Sequence, residues 1–298
     1  MLDVRLLLLG LGGFFWGGMM TPFSIRLAER YGILDVPDPR KLHTRQMPRG
    51  AGLGLWFGYL LLALCLVGRM PTLRCSSLGA TLIFLCGYRD DMHSLSPFLR
   101  LALHFVASAL AVLPLHLPFL TSILALVWVA GVTSAYNLID GVNGLCISLF
   151  MASMAALCFL EAAPVAVCMG AMSLGVLCWN FPEAQTFLGD GGSTLLGYLF
   201  AVHFAASALP RVPGAGLHES ILLLLLFGGV PVLDTMAAFS RRILMGRSPF
   251  FPDRGHLHHL LMALTGSPLW SVVVLLVLQA LSLLGDLPCT HGCCNAER

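Results

Sequence analysis

The chain is 298 residues long, 57% apolar and only 11% charged, with a mean hydropathy of +0.85. That mix lies far from a water-soluble domain of this length and excludes a soluble core. A formal net charge of +2 and a solitary lysine, Lys41, exclude nucleic-acid binding by bulk charge.

Runs apolar enough to cross a bilayer, about 20 residues each for a helix, recur at roughly 5–27, 51–68, 74–88, 99–117, 118–136, 143–160, 164–181, 188–209, 219–240 and 268–285. They are continuously apolar and rich in Leu, Ala and Gly, without the every-second-residue alternation of a transmembrane barrel. The expected fold is therefore an all-α polytopic membrane bundle of about ten transmembrane helices. A cleaved signal peptide is the rival reading of the first run, but Arg5 is its only early cation and no clear small-residue cleavage site follows. Residues 1–285 are read as one transmembrane catalytic domain and 286–298 as a cysteine-containing tail.

Ten spans divide the connections into two sets. Those at or after the ends of spans one, three, five, seven and nine hold Arg26, Arg30, Arg40, Lys41, Arg45, Arg49, Arg89, Arg100, Arg241, Arg242, Arg247 and Arg254, twelve of the 17 basic residues. By the positive-inside rule that face is expected to be cytoplasmic, with both termini outside.

The same five connections carry nearly all the chemistry-bearing residues. The first runs from Asp35 through Pro39, Arg40, Lys41 and His43 to Pro48-Arg49-Gly50. Its cations beside glycines suit a diphosphate, and equally a basic juxtamembrane loop held by anionic membrane lipid. The second places adjacent acids, Asp90 and Asp91, at the end of span three. Two neighbouring carboxylates repel unless a cation joins them, and hard oxygens of this kind suit Mg²⁺ or Mn²⁺; the plain alternative is a solvated helix end. In the third, Asn137-Leu138-Ile139-Asp140-Gly141-Val142-Asn143-Gly144 interrupts apolar sequence and reads as a helix break. An acid at the centre of a transmembrane helix costs about 2.5–3.5 kcal/mol on insertion scales, so Asp140 is expected at the interface or in a wet cavity.

The fourth connection holds Asn180, Glu183 and Gly189-Asp190-Gly191-Gly192-Ser193. Amides at a helix N-terminus receive phosphate, and Asp190 can hold an accompanying metal or simply cap the helix. The fifth ends in Asp253-Arg254-Gly255-His256-Leu257-His258-His259. With no cysteine beside them and hard donors elsewhere, these histidines are assigned mainly to phosphate contacts. Asp234, inside span nine, is either functional or the partner of a nearby arginine.

Taken in order, Pro39-Arg40-Lys41-x-His43 with Pro48-Arg49-Gly50, Asp90-Asp91, Asn137-x-x-Asp140-Gly141, Gly189-Asp190-x-Gly192-Ser193 and Asp253-Arg254-x-His256-x-His258-His259 resemble the motifs of the polyprenyl-phosphate N-acetylhexosamine-1-phosphate transferases of the glycosyltransferase 4 family, which include the phospho-N-acetylmuramoyl-pentapeptide transferases. The resemblance spans residues 39–259. It implies transfer of a sugar 1-phosphate from a UDP-N-acetylhexosamine to polyprenyl (undecaprenyl) phosphate at the bacterial inner membrane, with release of UMP and initiation of a lipid-linked glycan. By the same likeness, Mg²⁺, with Mn²⁺ possible, sits on Asp190 with help from Asp91, and Asp90 deprotonates or orients the lipid phosphate. His258 completes the implied catalytic set. Implied substrate contacts are Lys41, His43, Arg49, Asn137, Asp140, Asn143, Asn180, Arg254, His256 and His259, and a homodimer is a further family expectation.

Two departures qualify the likeness. Asn143 stands where the family usually has a second aspartate, and the histidine segment looks like the branch that initiates O-antigen or teichoic acid, without the three consecutive histidines of the peptidoglycan branch. UDP-GlcNAc is therefore the favoured donor, with the muramoyl-pentapeptide reaction as the alternative. Broken helices and intramembrane acids also mark membrane transporters, although polar motifs on one face and no internal repeat speak against a carrier. Six cysteines lie in or beside apolar spans and read as small hydrophobes; Cys289, Cys293 and Cys294 with His291 form a tail cluster that could bind metal.

Overall fold

The computed structural model describes residues 3–37, 45–159, 163–211, 217–248 and 255–284. Each of the ten apolar runs is a helix: α1 Val4–Tyr31, α2 Ala51–Leu66, α3 Thr72–Met92, α4 Pro97–Val112, α5 Phe119–Ile139, α6 Leu145–Leu157, α7 Ala163–Asn180, α8 Gly189–Ala208, α9 Leu217–Leu244 and, after a short α10 (Leu257–Thr265), α11 Pro268–Leu284. Five of them are long and apolar enough to span a bilayer unaided, and α2, α6 and α11 are apolar but shorter. The sole sheet among the described residues pairs β1 (Leu34–Asp35) with β2 (Met47–Pro48). The chain is thus an all-α, multi-pass membrane protein.

Helix α8 occupies the centre, packed on α3, α5, α2 and α6. Its glycines and alanines let neighbouring backbones approach closely, the way membrane helices associate when burial of apolar surface alone gives no net drive. A Cβ on Gly197, for example, would stand 2.8 Å from the Val132 carbonyl oxygen of α5. Helices α1 and α7 pack in the same manner: Gly13 and Gly17 lie against the Cys168 and Met172 carbonyls, a packing role for that glycine stripe. Large apolar side chains such as Leu64, Phe119 and Leu264 point outward, as a lipid solvent allows.

Helix α9 breaks at Gly229 (φ 56°, ψ −149°), just before Pro231. A freed amide in hydrocarbon is costly, and here it is satisfied: Val230 N–H donates to Gln279 Oε1 of α11 at 2.8 Å, while Gln279 Nε2 donates to Ser153 Oγ of α6 at 3.2 Å.

Candidate active site

One end of the bundle gathers the ends of α3, α5 and α7 with the starts of α2, α4, α6 and α8. The segment Arg45–Gly50 is stitched into this end from both sides. Its Arg49 N–H donates to Ile33 O at 3.0 Å, and Phe187 N–H donates to Pro48 O at 2.9 Å. Arg49 itself is ion-paired with Asp35 and reaches Asp91 at 3.4 Å.

The junction of α3 and α8 supplies the acids. Asp91 Oδ1 accepts the Asp190 amide at 2.9 Å and Oδ2 accepts that of Gly191 at 3.1 Å, so an acid from α3 caps α8 across the bundle. Gly189 makes this possible. It sits at φ +71°, and a Cβ there would stand 2.4 Å from an Asp91 oxygen. Asp91, expected to help hold the metal, caps α8 in this structure: its side chain is 1% exposed and its oxygens accept from two amides and Arg49. Asp190 is correspondingly not the cap of its own helix. Its carboxylate is 32% exposed and borders a cavity of about 690 Å³.

Asp90, expected to deprotonate or orient the acceptor phosphate, accepts from Arg100 at 2.6 Å and from the Leu95 amide. The same Arg100 reaches Asp190 at 3.1 Å. The sequence reading counted Arg100 as a cytoplasmic-face cation and missed it as a site residue. A signal was available: it lies in the first turns of α4, where the helix dipole disfavours a cation unless acids from elsewhere meet it.

Asp140 ends α5 and lines the cavity opposite Asp190, at the helix break the sequence predicts. Burial, and then the charges of Asp190 and Asp91, push its pKa up to about 7 against the opposing pull of Arg49. Asn137 and Asn143 also face the cavity; the former donates to Ser193 Oγ at 3.1 Å and the latter to Pro182 O at 3.3 Å. Asn180 borders the same cavity, yet its oxygen accepts the Gly144 amide at 2.7 Å and its NH₂ donates to Thr186 O at 2.8 Å. Its amide thereby ties two loops together at the edge of the cavity. Lys41, His43 and Arg254 lie outside the described residues.

The histidines divide. His259 lines the cavity. His258 is buried against Gly141, where a Cβ would meet its Nε2 at 2.3 Å, and among the described residues its Nδ1 has no hydrogen-bond partner. Burial and then the neighbouring histidines lower its pKa to about 4, so it is a neutral ring at physiological pH. His256 is buried too, its Nδ1 2.7 Å from Asp234 Oδ2, while Asp234 Oδ1 accepts the first amide of α10 at 2.8 Å. His256, tied to Asp234, and His258, packed on Gly141, thus flank the cavity-lining His259. Asp234 is that loop's anchor, and α10 is an element the apolar pattern did not show.

The donor set fits Mg²⁺. Among the described residues no three His, Cys, Asp or Glu side chains form a closed cage, but this ion keeps waters and is held by one or two carboxylates together with substrate phosphates. Asp190 and Asp140 provide two such oxygens in a cavity where their mutual repulsion calls for a cation.

Together these features define a polytopic membrane protein with a cavity at one end of its bundle lined by acids, amides, arginines and a histidine. Residues 73–208 match the profile of glycosyl transferase family 4. Over 280 residues, 86% of this chain and 77% of the relative, the sequence is 31% identical to a probable undecaprenyl-phosphate N-acetylglucosaminyl 1-phosphate transferase of Bacillus subtilis (strain 168). An undecaprenyl-phosphate alpha-N-acetylglucosaminyl 1-phosphate transferase of Thermotoga maritima is 28% identical over 89% of this chain and 82% of its own, and a decaprenyl-phosphate N-acetylglucosaminephosphotransferase of Mycolicibacterium smegmatis is 29% identical over 79% and 70%. The chain belongs to glycosyl transferase family 4.

Proposed function

We propose that this protein transfers N-acetylglucosamine 1-phosphate from UDP-GlcNAc to undecaprenyl phosphate, releasing UMP and starting a lipid-linked cell-surface glycan. The observation that carries the reading is the meeting of Asp140, Asp190, Arg49 and His259, from four separate connections, around one cavity. The names of the relatives supply the sugar and the lipid.

In the reaction an oxygen of the lipid phosphate bonds to the phosphorus bearing the sugar, and the bond from that phosphorus to the bridging oxygen breaks, its electron pair leaving with UMP. Mg²⁺, or Mn²⁺ in its place, would be held by Asp190 and Asp140 and supplies neutralisation of the diphosphate's charge when bound. Arg49 and His259 hold diphosphate oxygens. Arg100, kept at the side of Asp190 by Asp90, orients the acceptor phosphate. A phosphate monoester has its second pKa near ~6, so the acceptor is already ionised at neutral pH and Asp90 serves by aiming Arg100. The crowding of basic residues onto this end supports a cytoplasmic-facing site in the bacterial inner membrane with both termini outside.

Purified protein given labelled UDP-GlcNAc and undecaprenyl phosphate should yield labelled lipid and UMP in equal amounts, and EDTA should stop both. Label appearing only as free phosphate, or inside vesicles without lipid product, would overturn the reading. Exclusive use of UDP-MurNAc-pentapeptide would reverse the choice of sugar.

A further inference from the structure

A second cavity, of about 300 Å³, opens at the other end of the bundle and is lined by Arg69, Met70, Thr72, His203, Ala206 and Ser207. Helix α8 separates the two sites: His203 lies thirteen residues beyond Asp190, about 20 Å at 1.5 Å per residue. The volume is at the low end of ligand cavities and suits a headgroup better than a sugar nucleotide.

The hydrogen bonds around His203 fix what it offers. Ser76 Oγ donates to Leu73 O at 3.2 Å, so it can only accept from Tyr59 Oη at 2.7 Å. Tyr59 has then spent its proton, and its oxygen accepts from His203 Nε2 at 3.0 Å. Among the described residues no carboxylate lines the cavity to hold a second proton on the ring, which leaves Nδ1 as an acceptor. His203 is 3% exposed, and among the described residues Nδ1 has no protein partner. Ser207 Oγ and the hydroxyl and amide of Thr72, the first residue of α3, are likewise without one, and that helix start favours negative charge. Arg69 stands exposed at the mouth.

A matching ligand must bring a hydrogen-bond donor to the buried histidine and anionic oxygens to Arg69 and the Thr72 amide. We propose that this cavity binds the headgroup of an anionic, hydroxyl-bearing phospholipid, its phosphate on Arg69 and Thr72 and its hydroxyl on His203. Leu64 of α2 and Leu78 of α3, 74% and 62% exposed on the helices leading from the mouth, offer apolar surface to the acyl chains.

Native mass spectrometry of the full chain in mild detergent, incubated with phosphatidylglycerol or phosphatidylcholine, reads the site directly. Phosphatidylglycerol should be retained at least five-fold better, and Arg69→Gln and the cavity-filling Ser207→Leu should each remove that preference while the protein still elutes as one monodisperse species. Competition by millimolar glycerol phosphate would support the headgroup assignment. Equal retention of the two lipids, an unchanged preference in both variants, or binding of inorganic phosphate with no lipid retained would overturn it.

Discussion

Two adjacent pairs, Asp90-Asp91 on α3 and His258-His259 on α10, were read from sequence as shared machinery, and in each the structure separates the partners. Neighbours on a helix point about 100° apart, so the two members of each pair meet different partners. At α3 Asp91 caps α8, and Asp90 holds Arg100. On α10 His258 packs on Gly141, and His259 lines the cavity. The regions differ in what secures Asp91 and His258. Asp91 is tied by charge-assisted bonds to two amides and an arginine, whereas His258, among the described residues, is held by packing alone, with one nitrogen unsatisfied. Chemical pairing in a motif therefore says less about shared role than helical phase does.

The largest effect should come from Asp190→Asn. Transfer is expected to fall about 10²–10³-fold, the scale for losing one strong electrostatic contact to reacting phosphate, with thermal stability unchanged. Asp91→Asn should separate from it sharply. It turns an NH₂ donor toward one of the two amide donors, at about 1–3 kcal/mol, and so should lower the unfolding temperature as well as turnover. Equal unfolding temperatures for the two variants would break the proposed division.

Next in size, Asp234→Asn should reduce turnover about 10–100-fold, the range for a residue that orients a ligand-contacting one. KM for the nucleotide sugar should rise with it as His259 loses its support. An unchanged KM would detach the histidine loop from donor binding.

The smallest effect sharpens the comparison by pH. Asp140 and Asp190, each raised to about 7, and Asp91, raised to about 6, all chiefly by burial, stay protonated in the metal-free fold over a range where the unfolded chain has lost those protons. The folded state then binds more protons than the unfolded one between the ordinary carboxylate pKa and about 7, so metal-free stability should fall as pH rises through that window and level off above it. Added Mg²⁺ should flatten the slope, and apparent Mg²⁺ affinity measured by thermal shift should weaken below pH 7. His258 is neutral above about 4 in the fold, while an unfolded histidine keeps its proton up to about 6.5, so it should add the opposite limb, a stability that rises with pH between those values and is flat above. The falling limb should shrink in Asp140→Asn and persist in His258→Gln; a falling limb unchanged in the first and lost in the second would reverse that assignment.

Much of this was legible in the chain itself. Continuous apolar runs specify membrane helices because every backbone polar group in lipid must be satisfied locally, and all ten runs became helices. The break at Asp140–Gly144 was equally legible, since an acid, amides and glycines have no place inside an apolar span. Short α10 escaped because a nine-residue amphipathic helix leaves little periodic signal. Arg100 escaped because its value lies in reaching acids on two other helices.

Sequence by itself determined the membrane class, the order of the spans and the collection of charged residues into alternate connections, properties that follow from local hydropathy and helix length. Only tertiary structure decided which of two adjacent acids caps a helix and which side chains line the cavity. It also decided that Asn180 and Asp234 anchor loops. Those outcomes depend on helical phase and on amides and cations brought from residues tens of positions away, a pairing that no local pattern encodes.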